Sequence, residues 1–195
     1  MKEYIKTCIA PSLKLLFLFT LLLGIFYPLF IRTIGILFFK EQAEGSLLRN
    51  EKNQIVGSKL IGQNFYNLEY FHPRISYAGA DGYDGVFSDS SFLGPTSRKL
   101  IYSVANQCAQ YRKINLLSPD FIIPSDAVTS SASGLDPHIS VDNAMLQVQR
   151  VANERNISPY KVALLIQETA QISWLSPTSY VNVLELNLAL DQLTE

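Results

Sequence analysis

The strongest constraint on this 195-residue chain is the uncharged run from Leu15 to Ile31, which reads Leu-Leu-Phe-Leu-Phe-Thr-Leu-Leu-Leu-Gly-Ile-Phe-Tyr-Pro-Leu-Phe-Ile. At ~1.5 Å per helical residue it spans roughly 25 Å, and continuing past Arg32 to Phe39 exceeds the ~30 Å hydrocarbon core of a bilayer. The expectation is one crossing over residues 13–39, preceded by residues 1–12 and followed by a body of residues 40–195. Arg32 snorkels to the interface, and Gly24 with Pro28 marks a kink whose freed backbone groups call for a neighbouring protein helix. A cleaved secretory signal shares this outline, but the run is long for an h-region and no small-x-small site follows. An uncleaved anchor is therefore expected. The lysines before the span are matched by Arg32, Lys40, Arg49 and Lys52 beyond it, so the positive-inside count leaves the orientation open.

Charge divides the chain at the same place. The first forty residues hold Lys2, Lys6, Lys14, Arg32 and Lys40 against Glu3 alone, whereas the remainder has 11 basic and 16 acidic side chains. A mildly acidic body without a Lys/Arg cluster is a poor match for nucleic acid, which needs a concentrated basic face. Cys8 and Cys108 do not make a disulfide framework, and both read as small hydrophobes.

The body reads as α+β, helix-rich in its second half, with a small β component. Ser46 to Arg49 and Gln54 to Leu60 flank Asn50-Glu51-Lys52-Asn53 as a hairpin. Phe65 to Phe92 carries eight aromatic residues without any period, a long loop too apolar to be disordered. Leu93-Gly94-Pro95-Thr96-Ser97 opens a helix with Leu100, Ile101, Val104, Cys108 and Tyr111 on one side. Phe121 to Pro124 is expected to be extended. Val141, Ala144, Met145, Val148, Val151 and Ala152 give the clearest helical spacing, ending near Asn156. Ser158-Pro159 reads as an N-cap and first helical position for a helix through Thr169. Asn182 to Glu185 resembles a capping box before Leu186, Leu190 and Leu193, with Tyr180 to Val183 equally legible as a short strand.

The stretch Ser130 to Ser140, Ser-Ser-Ala-Ser-Gly-Leu-Asp-Pro-His-Ile-Ser, cannot build a core and so must serve geometry or a partner. Its bland reading is structural: Gly134 permits a turn, Asp136 satisfies free amides beside Pro137, and Ser140 caps the helix that follows. The sharper alternative is a membrane-anchored hydrolase or binding protein using Ser130, Ser131 or Ser133 with His138, a triad that sequence proximity cannot assign. No phosphate-cradling loop, His-Glu-x-x-His, Gly-x-Ser-x-Gly or Asp-Lys-Thr-Gly-Thr signature is present. With His72 and His138 the only histidines, no zinc site is expected. Asp81, Asp84 and Asp89 in the aromatic loop read as turn residues, or alternatively as a carboxylate-lined mouth that concentrates cations. No Glu closes a calcium loop there.

Several blocks, in order along nearly the whole chain, carry a resemblance. Asp126 to Ser140 is followed by Gln147-x-x-Arg150-Val151-Ala152. Upstream stand Gly57-Ser58-x-Leu60-Ile61-Gly62-Gln63-x-Phe65 and Tyr70-Phe71-His72. Leu93-Gly94-Pro95-Thr96, Val181-Asn182-Val183-Leu184-x-Leu186-Asn187-x-Ala189-Leu190, Tyr27-Pro28 and Gln42-Ala43-x-Gly45-Ser46-Leu47 complete the set. Together they resemble the C subunit (KdpC) of the Kdp potassium-transporting ATPases. The pattern departs at Arg74-Ile75-Ser76 for Arg-Pro-Ser, at Ser88-Asp89-Ser90-Ser91-Phe92 for Ser-Gly-Gly-Ser-Asn, and at Ile172-Ser173-Trp174, which lacks a glycine. The resemblance implies a single-pass accessory subunit of the cell membrane, with a cytoplasmic N-terminus and an extracytoplasmic body. Its implied partners are membrane lipid, a potassium-selecting channel-like subunit and a P-type ATP-hydrolysing subunit. It further implies an assembly role and a catalytic-chaperone role that raises the ATP affinity of the hydrolysing subunit. ATP is thus implied through the complex, and no residue here matches a nucleotide site.

Overall fold

The computed structural model describes residues 2–50, 52–173 and 178–193. Glu51 of the expected hairpin turn and Trp174 of the third departure lie outside the described residues. The chain forms two compact units, Met1–Ser46 and Leu47–Glu195.

In the first unit, α1 (Lys2–Leu21) passes through one π-helical turn, Leu22–Phe26, into α2 (Tyr27–Phe38). Pro28 has no N–H to donate to the Gly24 carbonyl, and the wider turn, closed by Tyr27 N–H on the Leu22 carbonyl, absorbs the mismatch. Glu3–Phe38 is long and apolar enough to cross a membrane, and none of its most apolar window is buried within the chain. Its 36 residues extend over about 54 Å at the α-helical rise. Hydroxyls of Thr7, Ser12, Thr20 and Thr33 donate to carbonyls four residues back, which hides their polarity along the apolar surface. Phe39 leaves the helix, and one further turn, α3 (Lys40–Ala43), ends the unit.

The second unit opens with the expected hairpin, β1 (Leu47–Arg49) antiparallel to β2 (Ile55–Ser58), with a register shift between Leu48 and Arg49. Asn50 Oδ1 accepts from Gln54 N–H, and Asn53 takes a left-handed φ of 58°. The second strand stops at Ser58, short of Leu60. A second sheet has the order β3-β5-β4, all antiparallel: β3 is His138–Ser140, β4 Gln171–Ile172 and β5 Ser179–Asn182. Around it stand α4 (Arg98–Ile114), α5 (Ser125–Val128), α6 (Val141–Arg155), α7 (Pro159–Thr169) and α8 (Val183–Gln192).

The core gathers where α6, α7 and α8 meet the sheet: Ile139, Ala144, Val151, Val162, Ile166, Val181, Leu186 and Leu190, joined by Phe71 from the aromatic loop. The apolar spacing of α6 is thereby used as its period requires. Asn156 ends α6 in the left-handed region at φ 56°, and Ile157 N–H reaches back to the Ala152 carbonyl while its side chain packs on the core.

Several expectations need correction. Ser158 has N-cap geometry but its hydroxyl caps nothing; its backbone carbonyl accepts from Lys161 and Val162 instead. Asn182 Oδ1 accepts from Leu184 and Glu185 N–H, yet Glu185 pairs with Lys59 at 3.2 Å and so leaves the capping box unclosed. Strand and helix coexist there, β5 ending where α8 begins. Ile101 points out of α4 at 60% exposed, because it lies about 100° around the helix from Leu100 and about 60° from Val104, at the edge of their stripe. Phe121 sits in a turn, donating its N–H to Ser118, before the chain extends to Pro124.

Candidate functional site

Residues 130–140 form a junction that ties together several irregular segments of the second unit. At its far end, Asp126 on α5 accepts from Ser140 N–H and hydroxyl, both at 2.9 Å, and from Asn143 Nδ2 at 3.0 Å. Ser140 Oγ in turn accepts from Asn143 N–H at 3.1 Å, so the first turn of α6 is capped by a serine that a carboxylate holds in place. Sequence spacing indicated the cap; the Asp126 clasp, fourteen residues upstream, was not legible from it.

Asp136 accepts His138 N–H at 3.0 Å, as expected of an Asp before Pro. It also pairs with Arg74 Nη1 at 2.9 Å, while Arg74 Nη2 donates to the Ser130 carbonyl at 3.2 Å. Burial by itself pushes the Asp136 carboxyl up, but the His138 hydrogen bonds and the Arg74 guanidinium outweigh it and hold the group below its ordinary value. Pro137 offers its carbonyl to Val183 N–H at 2.9 Å, fixing the start of α8.

The turn at Gly134 (φ 68°) leaves no room for a side chain: a Cβ would stand 2.7 Å from the Asp89 carbonyl oxygen. Ser76 Oγ donates to the Gly134 carbonyl at 2.6 Å, and Asp89 N–H and Ser88 hydroxyl both donate to the Ser133 carbonyl. Gly62 N–H reaches the Leu135 carbonyl at 2.8 Å, and a Cβ on Gly62 would lie 2.7 Å from the Asp136 carbonyl oxygen. Gly134, Asp136, Pro137 and Ser140 are therefore brought into one connected junction.

The catalytic alternative finds different surroundings. His138 Nδ1 lies 3.4 Å from Asp136 Oδ1, and its ring meets Tyr180 edge-on at 4.9 Å. Ser133 Oγ accepts from Leu135 N–H. Among the described residues no hydrogen bond joins His138 to a serine hydroxyl. Nor, among them, does any group of three or more His, Cys, Asp or Glu side chains gather to hold a metal. Asp84 Oδ1 accepts Val86 N–H and Asp89 Oδ1 accepts Ser90 N–H, local bonds typical of turns, while the Asp81 carbonyl accepts from Asn64 and Tyr66. All three carboxylate residues are exposed.

Sequence reading missed a second set of residues. Leu68 to His72, which buries Phe71 in the core, has no strand partner among the described residues, and side chains supply what a strand would. Asn187 accepts Phe71 N–H at 2.8 Å and donates to the Phe71 carbonyl at 3.0 Å. Gln147 does the same for His72, at 2.8 and 3.2 Å. Arg150, only 2% exposed, donates to the Leu68 and Tyr70 carbonyls, to Asn115 Oδ1 and to Gln147 Oε1. Arg155 adds a bond to the Glu69 carbonyl, an ion pair to Asp191 at 2.6 Å and a stack on Tyr70. The signal available in the sequence was Gln147, Arg150 and Asn187 standing on the apolar faces of α6 and α8, where a polar side chain must be satisfied internally. Burial, followed by the charge of Arg150, lowers His72 to about 4, so its ring is neutral and Nε2 donates to the Asn67 carbonyl at 3.1 Å. Burial also pulls Arg150 down to about 10.

A family profile described as KdpC, the K+-transporting ATPase c chain, matches residues 9–192. A potassium-transporting ATPase KdpC subunit of Mycobacterium tuberculosis (strain ATCC 25618 / H37Rv) is 51% identical over 185 residues, covering 94% of this chain and 97% of that one. The subunit of the same description from Beijerinckia indica is 45% identical over 185 residues, 94% and 92% of the two chains. That from Caulobacter vibrioides is 45% identical over 183 residues, 93% and 91%.

Proposed function

Since the chain belongs to the KdpC family of K+-transporting ATPase subunits, we propose that it is a non-catalytic accessory subunit of an ATP-driven potassium uptake complex. In this reading it is anchored by Glu3–Phe38 with its N-terminus in the cytoplasm, and its outer unit packs against a potassium-selecting subunit beside a P-type ATP-hydrolysing one. One observation carries the non-catalytic reading: several polar side chains in and around residues 130–140 are spent on the fold itself. Asp136, Ser140 and Ser76 each serve backbone amides, carbonyls or a structural ion pair. Among the described residues no serine hydroxyl is hydrogen-bonded to His138, the contact that acyl-transfer chemistry places between nucleophile and base. The assembly role draws on exposed apolar side chains of the aromatic loop, Val86 at 83%, Phe87 at 62% and Phe92 at 85% exposed.

An increase in ATP affinity would have to arise as coupling between conformational states of the assembled complex, since a body outside the membrane does not touch cytoplasmic nucleotide. Within the same reading, Asp81, Asp84 and Asp89 attract cations to the entrance by their field alone. Replacing all three by Asn is expected to weaken apparent potassium affinity, most at low ionic strength; unchanged affinity reduces them to turn residues. The test of the main reading is co-purification: a tagged chain expressed with its neighbouring subunits should bring down two larger membrane proteins in mild detergent. Hydrolase activity in the chain purified alone would instead favour the enzyme reading.

A further inference from the structure

A cavity of about 460 Å³ lies in the second unit where the C-terminal end of α4 meets α6 and Leu68. Its size falls within the ~300–1,000 Å³ range of small-molecule sites. Leu68, Ile114 and Leu116 line it with apolar surface, and Lys113, Arg150 and Glu154 supply its charges. Leu116, 70% exposed, is presented there in the left-handed region at φ 57°, an uncommon conformation for a leucine.

Arg150 is the unusual member. A buried charge is ordinarily matched by an opposite charge, yet among the described residues the hydrogen-bond partners of this guanidinium are neutral oxygens: Asn115, Gln147 and the carbonyls of Leu68 and Tyr70. Among the described residues it forms no salt bridge. Those four bonds engage four of the five N–H groups that a guanidinium carries. Glu154, four residues on along α6, contributes charge at a distance without bonding to it. The negative end of the α4 dipole is blunted, because the Tyr111 and Arg112 carbonyls already accept from Asn115 and Leu117 N–H. The cavity charges of Arg150, Lys113 and Glu154 leave one net positive charge beside an apolar wall.

We infer that this cavity binds a monoanionic amphiphile, a carboxylate on a small apolar body, with the carboxylate between Arg150 and Lys113 and the body against Leu68, Ile114 and Leu116. One excess positive charge matches a single carboxylate and not the several charges of a nucleotide triphosphate. The inference is independent of the subunit's role in transport.

The experiment is ligand-observed NMR with the full chain in nanodiscs, using 4-phenylbutyrate, its neutral isostere 4-phenylbutyramide, and ATP, with empty nanodiscs as the blank. The acid should bind saturably at one site per chain and at least tenfold more tightly than the amide. Lys113→Glu, at an exposed position, should weaken the acid tenfold and leave the amide unchanged; Leu116→Asp, also exposed, should weaken both. Equal affinity of acid and amide, no saturable signal above the blank, or preferential binding of ATP would each overturn the assignment.

Discussion

Replacing Asn187 with Leu tests whether side chains truly stand in for the missing strand beside Leu68 to His72. Asn187 is 1% exposed and Phe71 is fully buried, so neither backbone group of Phe71 can turn to water when the amide is removed. The substitution deletes both hydrogen bonds at once. Each orphaned buried group costs about 1–3 kcal/mol, or about 2–6 kcal/mol for the pair. Burying the leucine returns about 1.5–3 kcal/mol of that, and a net loss of about 2 kcal/mol remains. Domains have only ~5–15 kcal/mol in total, and urea slopes run at ~1–3 kcal/mol per molar. The urea midpoint of the second unit, read by pulse proteolysis of the full chain, should therefore fall by ~0.7–2 M. A shift under ~0.3 M would refute the idea that Asn187 replaces a strand neighbour.

Other expectations follow from the junction and from His72. Asp136→Ala removes the Arg74 pair and the bond to His138 N–H and should cost about 1–3 kcal/mol, appearing as a lowered urea midpoint and poorer assembly before any change in turnover. Lost turnover in a fully assembled complex would reverse that order. Gly134→Ala meets both a positive φ and the Asp89 carbonyl and should lose more than ~1 kcal/mol in the same assay, whereas Gly85, with open space around it, should tolerate alanine within ~0.5 kcal/mol. Folding lowers His72 from its ordinary 6.5 to about 4, so between those values the unfolded chain binds more protons than the folded one. The corresponding stability is complete above pH 6.5 and is lost as the pH falls toward 4, by at most about 3 kcal/mol. His72→Gln should flatten that part of the urea midpoint against pH profile, and an unchanged slope would contradict the assignment.

What could be read in advance divides along physical lines. The apolar run, the periodic face of α6 and the Asn-rich hairpin turn are local patterns, and each emerged near its expected place. Ser140 as a cap was legible for the same reason, since its partner amide is three residues away. The interactions that complete the junction were not, because Arg74 reaches Asp136 across sixty-two residues and Asn187 reaches Phe71 across one hundred and sixteen. Nothing in spacing or propensity encodes such pairs. Ser158 and Glu185 show the converse: both fit a local capping rule, yet the Ser158 hydroxyl caps no amide and Glu185 pairs with Lys59. In the aromatic loop, periodicity was absent because side-chain bonds, not a ladder, order the segment.

As a proposed accessory subunit, this chain contributes a packing surface from Leu47–Glu195 rather than chemistry of its own. Potassium-stimulated ATP hydrolysis by the purified complex, compared with and without Leu47–Glu195 of this chain, tests it most directly. Removal of that unit is expected to abolish co-purification of the larger subunits or their potassium-stimulated activity. A complex that assembles and hydrolyses ATP normally without it would contradict the claim.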